Sequence, residues 1–146
     1  GEMINHIDGN TICEADHLFA TRLWQNNSKV HFDINAREDK KRLIYGGHII
    51  SLVRALSFNG LENAQVIVGI NGGTHANPVF AEDTIYCWSE VLDKIDLNVR
   101  NIAALRLRSV GTKEKNHNMR LKSDDGKYLP TIVLDFDYWV LVPKEL

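Results

Sequence analysis

The 146 residues suffice for one domain with its own hydrophobic core, and 44% of them are hydrophobic while 25% are charged. This composition is typical of a globular protein and excludes intrinsic disorder. The net charge of −2 provides no basic stripe, so we expect no nucleic-acid partner. The apolar runs are too short to span a bilayer and no signal segment is visible, so we expect a cytoplasmic protein without a membrane partner.

Two cysteines, Cys13 and Cys87, are far apart in the sequence and lack the spacing of metal ligands. Free thiols in a reducing compartment are the simpler interpretation, and a disulfide is the alternative. Nor is there another cluster of metal-ligating residues, so we expect neither a metal site nor a cofactor. Two residues precede Met3, which fits a piece of a longer protein.

The first part of the chain predicts an extended arm over residues 2–10, followed by a helix. Thr11 and Glu14 have the spacing of a capping box, with the threonine as N-cap. The packed face of this helix is predicted to carry Ala15, Leu18, Phe19 and Leu23. A polar cluster over residues 25–28 ends the helix. The charged run over residues 37–42 is predicted to be a solvated helix or loop.

The segment from Gly47 to Gly60 is the most apolar part of the chain and predicts a buried central helix. Its polar residues form only a thin stripe of Ser51, Arg54 and Ser57. Gly60 suits a left-handed cap at the end of the helix. At its start, Gly46 and Gly47 leave backbone N–H groups accessible to an anion or a developing oxyanion.

After residue 61 the pattern changes to strands, which we predict over residues 65–70, 84–95, 101–112 and 131–142. The glycines at Asn71-Gly72-Gly73 indicate a bulge or a sharp bend after the first of them. In the last strand one face is predicted to carry Ile132, Leu134, Phe136, Tyr138 and Val140, opposite Asp135 and Asp137. We therefore predict an α+β fold in which an antiparallel sheet wraps around the central helix.

Three segments resemble the MaoC-like dehydratases, a family of hot-dog-fold enzymes that act on acyl-CoA. They are Trp24 to Asp33, the helix start Tyr45-Gly46-Gly47-His48, and the turn Asn77-Pro78-Val79-Phe80-Ala81-Glu82-Asp83-Thr84. The turn is similar to the family's Pro-Val-x-x-Gly-Asp-Thr, with Glu82 in place of the glycine. The resemblance covers nearly the whole chain. It implies one hot-dog domain over residues 1–146 and a hydro-lyase that reversibly adds water to an α,β-unsaturated acyl-CoA thioester.

Three stretches more narrowly resemble the C-terminal half of a subgroup of this family, over residues 20–32, 43–61 and 134–141. That resemblance implies a mesaconyl-CoA-like substrate, a branched C5 dicarboxylic thioester. In the family the working unit is a pair of hot-dog domains. The resemblance therefore implies either a homodimer or one half of a double hot-dog protein.

Catalysis in the family depends on a motif resembling Gly-Asp-x-Asn-Pro-x-His. When this motif is anchored on His31, its aspartate falls on Asn26, its asparagine on Ser28 and its proline on Lys29. The resemblance implies that His31 is the acid/base group, since imidazole exchanges protons near neutral pH. Asn26 does not titrate but can position the water. A dead site, or one completed by another chain or domain, stays open.

The resemblance also places the thioester carbonyl at the helix start, where Tyr45, Gly46 and Gly47 are expected to bind the oxyanion and the substrate. Alternatively, the glycines only let the helix approach the sheet. His75, in the Gly-Gly-Thr-His bend, is a candidate for binding a carboxylate of the substrate. His48 is expected to pack or cap rather than to react.

Further charged residues have two interpretations each. Asp33 either orients the imidazole two residues before it or faces away from it. The basic side chains either meet the phosphates of CoA or form a solvated face, and they are Lys29, Lys40, Lys41 and Arg42. Two other functions stay open for the domain: non-catalytic acyl-CoA binding, and a thioesterase, which would need an acid that the helix start does not offer.

Overall fold

The computed structural model describes residues 1–64, 66–99 and 101–144. One five-stranded sheet has the order β1-β3-β4-β5-β2, with all neighbours antiparallel. Its strands are β1 (Met3–Thr11), β2 (Val66–Thr74), β3 (Thr84–Val99), β4 (Ile102–Thr112) and β5 (Ile132–Pro143). The helices are α1 (Glu14–Leu23), α2 (Gly46–Leu56) and the short α3 (Phe58–Leu61), with 3-10 turns at Lys29–His31 and Ile34–Ala36. The predicted α+β architecture is confirmed.

The central helix α2 lies across one face of the sheet and contacts β1, β3, β4 and β5. Ile49 and Val53 are buried against the sheet, whereas Ser51 and Ala55 are exposed. Gly111 of β4 permits the close approach, because a Cβ there would lie 2.8 Å from a methyl carbon of Val53. The central helix was predicted correctly, but the sheet covers it on one side only.

The start of α1 differs from the prediction. Thr11 belongs to β1, where its hydroxyl lies 2.7 Å from that of Thr84, so it is not available as a helix cap. Cys13 is the N-cap residue instead and makes no side-chain capping hydrogen bond. The predicted capping box is therefore wrong, since the strand pairing uses the threonine hydroxyl.

The packed face of α1 also differs from the prediction. The helix buries His17 and Thr21, whereas Phe19 and Leu23 are 69% and 60% exposed. The Thr21 hydroxyl donates to the His17 carbonyl over 2.8 Å, which satisfies a polar group inside the protein. The 3.6-residue period of apolar residues predicted the helix but not which of its faces is buried.

The helix α2 ends at Leu56, four residues before the predicted cap at Gly60. Gly60 has φ of +99°, in the left-handed region that favours glycine. It lies in the turn of α3 rather than at the end of α2. The predicted left-handed conformation of Gly60 is confirmed, but the prediction that it ends the central helix is wrong.

Among the register shifts of the sheet, one in the β2–β5 pairing and one in the β4–β5 pairing bear on the predicted strands. The pairing of β2 with β5 shifts between Ile70 and Gly72, as predicted, and β2 continues to Thr74. The predicted start of this strand, Gln65, lies outside the described residues. A second shift, between Gly111 and Thr112, puts Val133 in the main core. The predicted common face therefore holds for residues 134–140 but not for Ile132.

A second hydrophobic cluster lies apart from the main core. Its buried members are Trp88, Val110 and Ile132. The polar connection over residues 113–131 packs on them through Met119, Leu121, Tyr128 and Leu129. The long connection that joins the antiparallel strands β4 and β5 is therefore a packed strap.

A chain of hydrogen bonds crosses the main core from α2 to β1. It runs from Arg54 to the Tyr138 hydroxyl (2.9 Å), then to Ser109 (2.9 Å), Ser89 (2.8 Å) and His6 Nε2 (2.8 Å). His6 Nδ1 lies 2.6 Å from the Asn59 carbonyl oxygen, which only accepts, so Nδ1 donates and Nε2 accepts. Since a guanidinium only donates, each hydroxyl must donate toward His6. Desolvation by burial lowers the pKa of His6, which favours this neutral form.

Cys13 and Cys87 are both free thiols, as predicted. No helix within the described ranges is long and apolar enough to cross a membrane.

Candidate active site

His31 ends the 3-10 turn Lys29–His31, which two hydrogen bonds fix to the segment before α2. The Leu43 N–H donates to the Val30 carbonyl over 2.9 Å, and His31 Nδ1 donates to the Leu43 carbonyl over 2.8 Å. Because a carbonyl only accepts, the neutral imidazole has its proton on Nδ1 and a lone pair on Nε2. The fold thus sets the tautomer, and Nε2 has no hydrogen-bond partner among the described residues, so it can take a proton.

His31 lines a cavity of about 350 Å³ between the start of α2 and the turn that follows β2. Most of the lining is apolar and consists of Leu43, Ile44, Ile49, Pro78, Val79 and Val133. Gly46, His75, Ala76 and Asn77 complete it. His31 and His75 are the only histidine, acidic or basic side chains among the described residues of this lining. A largely apolar cavity with a few polar groups is the usual form of a small-molecule site.

The N-terminus of α2 faces this cavity through Gly46. The His48 and Ile49 N–H groups reach the Tyr45 carbonyl at 3.0 and 3.4 Å. The N–H groups of Gly46 and Gly47, in contrast, donate to no acceptor in the described part of the chain. Free N–H groups at the positive end of a helix form a site for an anion or an oxyanion.

The two glycines also make room for neighbouring side chains. A Cβ on Gly46 would lie 2.5 Å from His75 Nε2, and one on Gly47 would lie 2.6 Å from the Tyr45 hydroxyl. Tyr45 does not line the cavity. Its ring contacts that of His31 edge-on, with 5.9 Å between centroids. Tyr45 therefore packs against His31 outside the cavity lining, a contact that the sequence pattern did not reveal.

His75 follows β2 and rests its ring against Gly46. Neither of its ring nitrogens forms a hydrogen bond to another described residue, and desolvation lowers its pKa. Asn77 holds the following turn by donating to the carbonyls of Leu129 (3.1 Å) and Ile132 (2.7 Å). Sequence reasoning missed this role of Asn77, although an asparagine before a proline is a known turn signal.

The structure does not bring Asn26 to the cavity that His31 lines. Its side-chain oxygen accepts the N–H of Ser28 over 2.9 Å, and the residue lines a separate groove at the end of α1. Asp33 does not contact His31 either, because its carboxylate accepts the Asn35 N–H over 2.9 Å and caps the next 3-10 turn. His48 is half-buried on the first turn of α2, outside the cavity lining.

Three of the basic residues, Lys40, Lys41 and Arg42, line a separate groove on the segment that leads into α2. Arg42 forms an ion pair with Glu14 and donates to the Phe32 carbonyl over 3.1 Å. Lys41 lies over the Phe80 ring at 5.7 Å, while Lys40 donates to the Asn35 side chain over 3.2 Å. Contact of these residues with CoA phosphates stays a prediction.

The turn before β3 contains the departure from the family motif. Glu82, in place of the glycine, has φ of +74° in the left-handed region that favours glycine. Its N–H donates to the Ile12 carbonyl over 2.9 Å, which holds the turn against the start of α1. The turn thus has the positive φ that favours glycine, although a glutamate occupies the position.

No family model matches the chain. It is 58% identical over 144 residues to the mesaconyl-CoA hydratase of Cereibacter sphaeroides, and 52% identical over 149 residues to the β-methylmalyl-CoA dehydratase of Chloroflexus aurantiacus. Each alignment covers 99% of this chain and 42% of the relative. The chain therefore spans less than half the length of the curated relatives that it matches.

Among solved structures, a Chloroflexus aurantiacus protein described as a MaoC domain dehydratase is 50% identical, with a TM-score of 0.95 over 100% of this chain and 43% of that one. A Mycobacterium tuberculosis protein described as a double hot-dog fold has a TM-score of 0.71 over 99% of this chain and 42% of that one. At 14% identity the second likeness shows the fold alone. The predicted resemblance to the MaoC-like dehydratases is thus confirmed, and the chain has the hot-dog fold.

Proposed function

We propose that this domain catalyses the reversible addition of water to the double bond of an α,β-unsaturated acyl-CoA thioester. The observation that carries the proposal is one shared cavity. His31 presents a free lone pair to it, and the N-terminus of α2 presents the unpaired N–H groups that begin at Gly46. Hydration requires a base for the water and donors for the enolate oxyanion.

In the proposed reaction, the thioester carbonyl accepts hydrogen bonds from the N–H groups of Gly46 and Gly47. His31 Nε2 takes a proton from water while the water oxygen bonds to the β-carbon. The electrons of the double bond move to the thioester oxygen, where the helix dipole stabilises the negative charge. The Leu43 carbonyl, which accepts from Nδ1, stabilises the imidazolium that forms.

The proposed substrate class is a mesaconyl-CoA-like thioester with a branched C5 dicarboxylic acyl group. The names of the two curated relatives, a mesaconyl-CoA hydratase and a β-methylmalyl-CoA dehydratase, support this class. The apolar wall formed by Leu43, Ile44 and Ile49 suits a methyl branch. No cofactor is proposed beyond the CoA that is part of the substrate.

We propose that the domain pairs with a second hot-dog domain at the free edge of β2. This strand pairs only with β5 within the described residues, and Val66, Val68 and Ile70 are 54%, 55% and 65% exposed on it. An uncovered apolar edge strand favours association. The partner is either a second copy or another domain of the same protein. Sedimentation distinguishes them, because a homodimer has twice the mass of the chain.

A cytoplasmic location is also proposed. Its support is that both thiols are free, as is typical of proteins from reducing compartments.

The test is the loss of enoyl-thioester absorbance when the chain meets mesaconyl-CoA, with crotonyl-CoA measured in parallel. We expect turnover of mesaconyl-CoA without release of free CoA thiol. Release of the thiol would favour the thioesterase alternative. Tight binding of either thioester without turnover would contradict the hydratase and favour an acyl-CoA-binding domain.

A further inference from the structure

Hydration moves two protons, one from the water and one to the α-carbon. His31 has one exchanging nitrogen, since Nδ1 is held by the Leu43 carbonyl. The residue at the position of the family's second acid/base group, Asn26, does not titrate and lies in a separate groove. The reaction proposed above therefore lacks an assigned group for the α-carbon.

His75 is placed to supply that group. It lines the same cavity as His31, and its Nε2 lies so close to Gly46 that a Cβ there would be 2.5 Å away. Gly46 is the first residue of α2, where the thioester carbonyl is proposed to bind. The α-carbon is bonded to that carbonyl carbon. His75 thus lies at the reacting end of the cavity.

We propose that His75 is the second catalytic residue of this site and exchanges the proton of the α-carbon. The proposal rests on the hydratase function proposed above. In hydration, protonated His75 gives its proton to the α-carbon as the enolate electrons return to form the C–H bond. His31 holds the proton of the water at that stage. The site is reset when a proton passes from His31 to His75 through solvent. In dehydration the neutral His75 takes the α-proton, and His31 protonates the leaving hydroxyl.

Two further features support this role over the binding of the substrate's distal carboxylate that the sequence suggested. Both ring nitrogens of His75 are free of hydrogen bonds to other described residues, so the ring can gain or lose a proton without breaking a contact. Desolvation lowers its pKa, which favours the neutral ring that takes the α-proton in dehydration and makes the protonated ring a readier proton donor in hydration. A neutral imidazole binds a carboxylate less strongly than an imidazolium does.

The test compares His75→Ala with the unchanged chain on mesaconyl-CoA and on crotonyl-CoA, which has no distal carboxylate. We expect kcat to fall by at least about 100-fold on both substrates, as for loss of an acid/base group, with KM nearly unchanged. Added imidazole should restore part of the activity of His75→Ala. His117→Ala serves as the matched control, because His117 lies on the strap and not in the cavity lining. His75→Gln, with a similar size, repeats the test if His75→Ala does not fold.

Several results would overturn the proposal. A loss confined to mesaconyl-CoA, with raised KM, would show that His75 binds the distal carboxylate. If kcat is unchanged in both His75→Ala and His75→Gln, His31 alone carries both protons. If the unchanged chain hydrates neither substrate, the proposed function itself fails, and the role of His75 fails with it.

Discussion

Histidines in opposite states of hydrogen bonding lie beside the two ends of α2. At its C-terminal end, both nitrogens of His6 have partners, and the chain of hydroxyls that reaches Arg54 satisfies every member. At its N-terminal end, within the described part of the chain, His31 has one nitrogen without a partner and His75 has two, beside the unpaired N–H groups of Gly46 and Gly47. Satisfied groups stabilise a fold, whereas groups left open are available to a ligand.

This contrast assigns a different role to each end of one helix. Substitutions at the C-terminal end are expected to change the free energy of unfolding. Substitutions at the N-terminal end are expected to change turnover with little effect on stability. The predictions below are ordered from the largest expected effect to the smallest.

The largest stability effect is expected for Arg54→Met. The methionine keeps most of the length but removes the donors to the Tyr138 hydroxyl and to the Ala64 carbonyl, at 2.9 and 2.7 Å. Because the Tyr138 hydroxyl and the Ala64 carbonyl lose their donor, the substitution should lower the free energy of unfolding by about 3 kcal/mol. Arg106→Met is the matched control, because its pair with Asp137 is partly exposed and solvent screening should leave it a much smaller contribution. Denaturant unfolding measures both, and equal losses would contradict the assignment.

At the other end of the helix, Gly46→Ala should reduce turnover about tenfold without unfolding the domain. The added Cβ would lie 2.5 Å from His75 Nε2, so the imidazole must move away from its place in the cavity. Alanine also favours a helix over glycine by about 1 kcal/mol, which offsets strain in the fold. Gly72→Ala is the control, since a Cβ there meets nothing within 4 Å. Full activity of Gly46→Ala would contradict a role for His75 in the reaction.

The fold was predictable where the pattern is local. Periodicity placed the strands, and the apolar segment after Gly47 placed the central helix. The direction of a face was not predictable for α1, because burial of His17 and Thr21 depends on contacts that the helix does not encode. Nor could sequence alone show the core hydrogen bonds of His6, whose partner Ser89 is 83 residues away in the chain.

The candidate site was predictable only in part. The spacing to His31 and the glycine pair located the helix start and one histidine. The same spacing suggested Asn26, but its side chain accepts from a backbone group two residues later and faces another groove. The cavity position of His75 depends on how β2 ends relative to α2, which no local motif determines.

Acid should lower the free energy of unfolding of the domain, because His6, beside the C-terminal end of α2, is buried in its neutral form. Burial lowers its pKa below the ordinary value of 6.5, so below that pH the unfolded chain binds more protons than the folded one. Stability from neutral His6 is therefore complete above pH 6.5 and decreases as pH falls below it. The slope contributed by one histidine is at most about 1.4 kcal/mol per pH unit. Unfolding of His6→Gln between pH 7 and 5 should show a shallower slope, and an unchanged slope would contradict burial of a neutral His6.

The smallest effect is expected at Glu82, which lies at neither end of α2. Glu82→Gly should raise the free energy of unfolding by up to about 1 kcal/mol, because it relieves the positive φ of +74°. Turnover should not change. Thermal unfolding detects the gain, and a loss of stability would indicate that the glutamate side chain contributes more than its backbone costs.

The central claim is that the N-terminal end of α2 is the reactive one, and His31→Gln tests it most directly. Initial rates of mesaconyl-CoA hydration should fall by at least about 100-fold, while the free energy of unfolding changes by about 1 kcal/mol, the value of one hydrogen bond. His6→Gln, measured alongside, should show the reverse pattern, with stability lost and turnover per folded molecule retained. A His31→Gln variant that is stable and hydrates mesaconyl-CoA at the rate of the unchanged chain would contradict the claim.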